Sequence, residues 1–343
     1  MDGHPPIRVG ISAGMHDVRQ TMQWAELAES CGFDLLGYGD TQCLLPELDV
    51  ALAAMATVTE RVLLCSTVTN PVTRHTAVAA SAFATLQQLS GGRIRYCVGS
   101  GDSAVGLVGA AAAGLGGLEA HSRAFRALVS GEEADLGGRR FRLDWPAPPV
   151  PLWLAAGGPR TLELAGRLAD GVLVGTGLTE DVVADSLARI HHGARDAGRD
   201  PAAIEVWWFA KVFVCDDEQR AWRDLAWTLA ATANHAFRGG FADKCVPSSM
   251  EEPLQRLRAG YASRAHNGIA QSPEANTALV VDNGLTEFLG RRFLIAGPPE
   301  EVAGRLEQLA GWGATNLLVP ALFGDPVEFT ATVAGSVLPL LGR

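Results

Sequence analysis

The sequence predicts an α/β fold, a (β/α)₈ TIM barrel with insertions at its C-terminal face. Short apolar or β-branched runs alternate with longer segments of helical periodicity, which is typical of parallel strands joined by right-handed helical crossovers. Eight such runs are present, and eight parallel strands close a barrel of this kind. The 343 residues accommodate one barrel of about 250 residues with roughly 90 residues of insertion. A doubly wound open sheet is the structural alternative.

The first unit shows the pattern on which the assignment depends. Ile7–Ser12 is a predicted strand, His16–Cys31 carries apolar residues at helical spacing, and Gly32 ends that helix. The other strands are predicted at Leu35–Tyr38, Val62–Val68, Ile94–Val98, Leu152–Ala156, Gly171–Val174, Ile204–Val214 and Leu317–Pro320. Further helices are predicted at Pro46–Val58, Thr76–Leu89 and Pro159–Ala169, and a last one from Pro326.

Two long stretches interrupt the alternation. Ser103–Pro149 separates the fourth and fifth strands and carries one predicted helix near Glu119–Ser130. Asp216–Pro298 separates the seventh and eighth strands and is predicted to be helical. We therefore treat residues 1–343 as a single barrel domain with a helical insertion at about 216–298. Insertions after strands lie at the C-terminal face, where substrates bind. A substrate lid is favoured for the second one over loop padding or an oligomer contact.

Composition and motifs exclude several classes of function. The net charge of −10 and the pI of 5.3 argue against a nucleic-acid partner, which requires basic clusters. None of the six cysteines has metal-ligand spacing, so we expect reduced thiols and no metal site. The N-terminal residues lack a signal-peptide pattern and no apolar stretch is long enough for a bilayer, which predicts a cytoplasmic protein without a membrane partner. Metalloprotease, hydrolase and P-loop motifs are absent.

Two glycine turns follow neighbouring predicted strands. Gly157 and Gly158 precede Pro159 at the start of a helix, where backbone N–H groups and the helix N-terminus favour an anion. Thr176 and Gly177 follow the next strand and add a hydroxyl donor. Together the two turns predict a phosphate site, although tight turns between strand and helix require glycine in any case.

Polar residues also follow the second and third predicted strands. Asp40 is a candidate group beside a cofactor ring, with a helix cap or a loop ion pair as the alternative. Asn70 and the backbone at Thr67 and Val68 are candidate cofactor contacts. His75 is a candidate proton donor, with a helix-cap role favoured.

The fourth strand ends in a glycine-containing segment that is not a dinucleotide fingerprint. Gly99 and Gly101 lack the third glycine of that motif at its required position. Ser100 and Asp102 are instead predicted to lie at the mouth of the barrel. Trp207 and its neighbours in the seventh strand are assigned to the core in preference to a cofactor wall.

The ordered succession of these motifs resembles the bacterial luciferase-like oxidoreductase superfamily, and most closely its branch related to methylene-tetrahydromethanopterin reductase, which uses the deazaflavin coenzyme F420. The segments that carry the resemblance are Gly32–Asp34, Gly39–Asp40, Thr69–His75, Leu89–Arg93, Gly99–Asp102, Ala155–Arg160, Ala169–Val172 and Ala296–Val302. They cover nearly the whole chain except Asp216–Phe293.

The resemblance implies a flavin-type ring at the barrel mouth, backed by a non-proline cis peptide bond at Thr67–Val68. It implies a phosphate held by Gly157, Gly158, Thr176 and Gly177, with Asp40, Ser100 and Asp102 beside the ring. Dimers are common among such proteins, so a homodimer is expected.

Two positions depart from the pattern of the resembled branch. Many deazaflavin relatives have histidine where this chain has Thr41, and some have lysine where it has Leu178. Without the first histidine, the proton donor would have to be Asp40, Asp102, His75 or a histidine of the second insertion, His235 or His266.

Three functions remain open. The first is hydride transfer between reduced F420 and a small organic substrate, with Asp40, Asp102 and His75 as catalytic candidates. The second is an FMN-dependent monooxygenase of the luciferase-like type. The third is a non-catalytic flavin-binding barrel, which the phosphate turns and the polar mouth disfavour.

Overall fold

The computed structural model describes residues 6–262 and 274–342 and contains a closed barrel of eight parallel strands. In these residues the strands, in chain order, are β1 Arg8–Ala13, β2 Leu35–Tyr38, β3 Leu63–Ser66, β4 Ile94–Val98, β5 Ala134–Leu136, β6 Arg139–Phe141, β7 Leu152–Ala156, β8 Gly171–Val174, β9 Glu205–Phe209, β10 Lys211–Val214, β11 Leu294–Gly297 and β12 Asn316–Pro320. Around the barrel the order is β1, β12, β9, β8, β7, β4, β3, β2. The predicted barrel is confirmed and the open sheet is wrong.

The helices that the periodicity predicts are present, and further helices that the sequence analysis did not place lie between them. They are α1 Val18–Ser30, α2 Leu48–Val58, α3 Thr76–Leu89, α4 Ser103–Leu107, α5 Leu115–Val129, α6 Pro159–Leu168, α7 Glu180–Asp196, α8 Glu218–Asp224, α9 Ala226–Ala236, α10 Ser248–Gly260, α11 Glu274–Val281, α12 Thr286–Phe293, α13 Pro299–Gly311 and α14 Pro326–Ser336. Side chains fix several starts: the Asp17 carboxylate accepts hydrogen bonds from the first amides of α1, and Asp325 does the same for α14. In the described part of the chain, no helix is both long and apolar enough to cross a membrane.

The seventh predicted strand is in fact two strands. β9 pairs with β8 and β12 in the barrel, whereas β10 leaves the barrel and pairs in parallel with β11. The backbone N–H of Ala210 still donates to Leu318 O, at 2.9 Å, just before the change of partner. The insertion at 216–298 therefore ends in a strand and is not purely helical.

The first insertion also contains structure that the sequence analysis missed. β5 and β6 form an antiparallel hairpin joined at Gly137 and Gly138. Both glycines have positive φ, 64° and 78°, and this conformation suits a tight hairpin turn and disfavours other residues.

A cluster of apolar side chains fills the barrel interior. Trp207 belongs to this interior cluster, whereas Trp208 packs in the main cluster between the barrel and its helices. Alternation along β9 separates the two indoles. Other members of the interior cluster are Leu35, Cys65, Cys97, Trp153, Leu173 and Leu318. The assignment of the strand-seven tryptophans to the core is confirmed.

The second insertion has a core of its own. Buried side chains from α8, α9, α10 and α12, including Trp222, Leu229, Leu254 and Leu289, form a cluster separate from the barrel core. Helix α9 lies over the carboxyl ends of the strands, because its His235 contacts Asp102, which follows β4. The insertion is thus at the C-terminal face, as predicted.

Candidate active site

Asp40, which follows β2, is buried and fully engaged by neighbouring side chains. It is 3% exposed and accepts hydrogen bonds from Gln42 Nε2 at 2.5 Å, Thr69 Oγ1 at 2.5 Å and Arg74 Nη1 at 2.6 Å. Arg74 also pairs with Glu47. The structure thus shows the ion pair that was the alternative interpretation of Asp40, while its role beside a cofactor ring stays a prediction.

The segment after β3 has the backbone geometry implied by the family resemblance. The Thr67–Val68 peptide bond is cis. Gly37 on the neighbouring strand leaves room for Thr67, because a Cβ at that position would lie 2.5 Å from Thr67 Oγ1. A Cβ at Gly99 would lie 3.5 Å from Val68 Cγ2, so Val68 and the end of β4 form one continuous wall.

Two polar atoms in this wall are buried and have no hydrogen-bond partner within the part of the chain that the structure describes. They are Thr67 Oγ1 and Asn70 Nδ2. The other amide atom of Asn70, Oδ1, accepts hydrogen bonds from the backbone N–H groups of Val72 and Thr73 at 3.0 and 2.9 Å. Buried polar groups are normally paired, so these two atoms indicate a place where a ligand supplies the missing partners.

Asp102 and His235 meet above the mouth although 133 positions separate them in the sequence. His235 Nδ1 lies 3.0 Å from Asp102 Oδ2, and Arg238 contacts the other carboxylate oxygen. Burial by itself would raise the pKa of Asp102, but the hydrogen bond from His235 and the charges of His235 and Arg238 lower it to about 2. The carboxylate is therefore ionised at working pH and fixes the orientation of the imidazole.

The remaining ring nitrogen of His235 faces the first glycine turn. A Cβ at Gly157 would lie 3.9 Å from His235 Nε2. A Cβ at Gly101 would lie 3.4 Å from Asn70 Cβ, so the loops after β3 and β4 are in contact. Ser100, half-buried, lies between Gly99 and Gly101 on this loop. The structure thus brings Asn70, Ser100, Asp102 and His235 to one end of the barrel.

The two glycine turns form one small pocket. It is lined by Gly158, Thr176, Lys244 and Arg292, among others. Gly158 precedes α6 without a side-chain cap. Pro159 has no N–H and the Thr161 amide donates to Gly158 O at 3.0 Å, so the Arg160 amide is the one in the first turn that can meet an anion. The Thr176 hydroxyl lies 3.1 Å from Ser186 Oγ, which limits its role as a free donor. The predicted phosphate residues are therefore adjacent, and Lys244 joins them.

Charged side chains of both signs line this pocket, Lys244 and Arg292 together with Asp185 and Asp243. Lys244 Cε would be 3.8 Å from a Cβ at Gly158. Burial, followed by the charges of Arg258, Arg292 and Arg238, lowers the pKa of Lys244 to about 8. Asp185, which also lines the pocket, is already paired with Arg189, and the cations close to Lys244 favour an anionic ligand beside it.

Buried Arg292 connects the loops of this pocket through hydrogen bonds to their backbone. It is 3% exposed and donates to three carbonyl oxygens, those of Thr176, Cys245 and Lys244, at 3.0, 2.8 and 2.7 Å. Its side chain also packs on Gly177, whose φ is 132° and where a Cβ would lie 2.7 Å from Arg292 Cγ. Burial lowers the pKa of Arg292 to about 10.

His75 is placed differently from the other predicted residues. It is exposed at the start of α3, and its Nδ1 accepts a hydrogen bond from the Ala77 amide at 3.2 Å. Its ring packs edge-on against Phe141, with 5.2 Å between the ring centroids. The favoured helix-cap interpretation is confirmed, and the contacts of His75 do not include the other candidate residues. His266 lies outside the described residues.

Sequence reasoning missed Arg238, Lys244 and Arg292 as residues of the site. Lys244 carried one usable signal: of 28 lysines and arginines, only Lys211 and Lys244 are lysines. His235 was noticed as a possible contributor, but nothing in its spacing indicated Asp102 as its partner. Among the described residues no cluster of metal-binding side chains is present.

Comparison with known proteins places this geometry in a family. The profile of the family described as "Luciferase-like monooxygenase" matches residues 5–316. The 5,10-methylenetetrahydromethanopterin reductase of Methanolobus tindarius is 28% identical over 93% of this chain and 95% of its own. The F420-dependent glucose-6-phosphate dehydrogenase of Beutenbergia cavernae is 28% identical over 98% of this chain and 97% of its own.

The fold comparison agrees with the family profile. The coenzyme F420 dependent tetrahydromethanopterin reductase of Methanopyrus kandleri superposes with a TM-score of 0.75 at 21% identity, covering 97% of this chain and 99% of that one. The monooxygenase RslO1 of Streptomyces bottropensis superposes with a TM-score of 0.64 at 18% identity, covering 97% and 99%. Both likenesses concern the barrel fold. The chain therefore belongs to the luciferase-like monooxygenase family and is an oxidoreductase.

Proposed function

We propose that this enzyme transfers a hydride between the reduced deazaflavin coenzyme F420 and a small organic substrate. The carrying observation is a pair of buried polar atoms, Thr67 Oγ1 and Asn70 Nδ2, which have no hydrogen-bond partner among the described residues and lie at the same end of the barrel as Asp102 and His235. The two relatives at 28% identity, whose printed names include a methylenetetrahydromethanopterin reductase and an F420-dependent dehydrogenase, support the choice of cofactor.

The residues present fit such a cofactor at both of its ends. Thr67 Oγ1 and Asn70 Nδ2 supply polar contacts for a heteroaromatic ring lying against Val68. Gly158, the α6 N-terminus and Lys244 supply an anion site for its phosphate. When bound, the ring supplies the hydride. Gly157, Thr176 and Gly177 complete the proposed phosphate contacts, and Asp40 and Ser100 stay as proposed neighbours of the ring.

The proton that accompanies hydride transfer is assigned to His235. Its Nδ1 is bonded to Asp102, so Nε2 is the nitrogen that faces the mouth and exchanges the proton with substrate. Asp102 holds the imidazole in position and stays ionised, as its pKa of about 2 requires. The His235–Asp102 pair thus replaces the proton donor that Thr41 cannot provide. His75 caps the N-terminus of α3.

The test is binding and turnover with each cofactor. Apo-protein titrated with F420 and with FMN should bind F420 more tightly, and turnover with reduced F420 should not consume O₂. His235→Gln should lower the rate about 10²–10⁴-fold with unchanged F420 affinity, the range typical of lost general acid–base catalysis. His192→Gln is the matched control, because His192 is exposed on α7 and pairs with Asp196.

The runner-up is an FMN-dependent monooxygenase, which the description of the family profile favours. Turnover that requires FMN and consumes O₂ would establish it and refute hydride transfer from F420. Binding of neither cofactor would leave the non-catalytic barrel as the better account.

We further propose that the enzyme is a homodimer formed through the exposed faces of α2 and α3. These two helices pack side by side and contain one charged residue between them, Asp49. Val50 and Val78 are each 57% exposed on this face. Uncharged, apolar surface of this kind is typical of an interface. Light scattering should give twice 36.1 kDa, and Val78→Glu should give the monomer, whereas Leu340→Glu, at another exposed position, should not.

We also propose that the enzyme acts in the cytoplasm on a small molecule. All six cysteines are free thiols, and a reducing compartment keeps thiols in that state.

A further inference from the structure

Lys211 is a buried lysine two residues beyond the carboxyl end of β9, the seventh barrel strand. Trp207 and Phe209 of β9 pack on the barrel interior, and Lys211 opens β10 just beyond the end of β9. Its ammonium lies 5.8 Å from the centroid of the Phe209 ring. The side chain therefore lies at the mouth of the barrel, where enzymes of this fold place functional groups.

The charge of Lys211 has little compensation from the protein. Only 6% of the residue is exposed, and Nζ donates one hydrogen bond, to Thr232 Oγ1 of α9. That hydroxyl is itself committed as a donor to Thr228 O, at 2.8 Å. In the ranges 6–262 and 274–342 no carboxylate forms an ion pair with Lys211, and burial alone lowers its pKa, to about 8.

Helix α9 connects this ammonium to the His235–Asp102 pair. Thr232 and His235 are three positions apart, so their side chains share one face of the helix. Thr232 accepts from Lys211, and His235 contacts Asp102 with its Nε2 towards Gly157. One face of α9 thus carries the His235 imidazole and contacts the Lys211 ammonium, at the same end of the barrel.

We propose that Lys211 binds a partly anionic oxygen of the bound ligand, either a carboxylate or a carbonyl conjugated to the bond that is reduced. An ammonium has three N–H donors, and two remain after Thr232. A buried charge without a partner is unfavourable, and a ligand oxygen at this point supplies the missing acceptor. The proposal deepens hydride transfer and rests on it for the choice of substrate: an unsaturated carbonyl compound or carboxylate.

The chemistry of such a substrate matches the positions of Lys211 and His235. Hydride adds to the β-carbon of the conjugated system, and the electron pair of the C=C bond shifts so that the carbonyl oxygen becomes an enolate. Lys211 stabilises that oxygen, as preorganised donors do where negative charge develops. The α-carbon then takes the proton from His235 Nε2, and the reduced deazaflavin is the two-electron donor that balances the reaction.

The presence of only two lysines in the chain makes a direct test possible. Protein labelled with ¹³C at the lysine ε-carbon should show two side-chain signals, assigned by their loss in Lys211→Met and Lys244→Met. Each signal is followed through four pH titrations: of the apo-protein alone, and of the protein with crotonate, with its neutral amide crotonamide, or with F420. Lys244 is the internal control, because it belongs to the phosphate pocket.

A substrate oxygen as the partner predicts that crotonate raises the pKa of Lys211 by at least about one unit, as an adjacent opposite charge does, and that crotonamide has a smaller effect. Lys211→Met should then lose about 10-fold or more of crotonate affinity. If F420 alone raises the pKa of Lys211, the oxygen is a ring carbonyl of the cofactor, and Lys211→Met should weaken F420 binding instead.

If the Lys211 signal titrates with each of the three probes as it does in the apo-protein, the proposal is overturned. Failure of the proposed function looks different, because F420 would then move neither lysine signal while crotonate still moved that of Lys211.

Discussion

Replacing Lys211 by methionine should stabilise the fold at neutral pH, and the gain should vanish in alkali. Burial lowers the pKa of this ammonium from its ordinary 10.5 to about 8. The folded protein therefore releases the proton near pH 8, whereas the unfolded chain keeps it until about pH 10.5, so stability rises with pH across this window. Below pH 8 the full cost of the buried charge applies, about 3 kcal/mol at roughly 1.4 kcal/mol for each pKa unit. Methionine removes that cost while keeping an unbranched chain.

The assay is thermal unfolding of wild type and Lys211→Met at pH 7 and at pH 10.5. With about 2 °C per kcal/mol for a domain of this size, the variant should melt roughly 6 °C higher at pH 7, and the difference should fall close to zero at pH 10.5. A stability difference that is the same at both pH values would refute the reasoning, because it would show that burial of the charge is not what the substitution relieves.

Three further outcomes follow from the site. Gly158→Asp should abolish binding of the cofactor phosphate, measured by titration with F420, by placing a carboxylate at the anion site; Gly304→Asp, at an exposed position of α13, should bind normally. Gly37→Ala should lower the melting temperature by an amount corresponding to about 1–3 kcal/mol, because its Cβ would meet Thr67 Oγ1 at 2.5 Å; an unchanged melting temperature would contradict the close packing seen here. Asp102→Asn should reduce turnover about 10²–10⁴-fold while F420 affinity is retained, whereas Asp196→Asn, next to surface His192, should have no effect; loss of affinity without loss of turnover would exclude the proton role.

Local pattern determined most of the barrel in advance. The eight barrel strands, the helices α1, α2, α3, α6 and α14 and the Gly157–Gly158 turn follow from periodicity and turn residues, which depend on neighbours in the chain. Helices α7 and α13 were not predicted. The same positions made Asp40, Asn70 and Asp102 candidates, since parallel strands bring their carboxyl ends to one face. The place of the cis bond at Thr67–Val68 came from family resemblance, and the structure confirms it.

Only the tertiary structure decided which partners these residues have. The run at 204–214 looks continuous because apolar periodicity does not report which strand is hydrogen-bonded to it, and β10 exchanges its barrel neighbour for β11 at Lys211. Asp40 is paired with Arg74, 34 positions away, and Asp102 with His235, 133 positions away. Buried Lys211 donates to Thr232 of α9, 21 positions away. Each of these features is a contact between distant segments, and its energy depends on how the whole chain packs, so no local window of the sequence contains it.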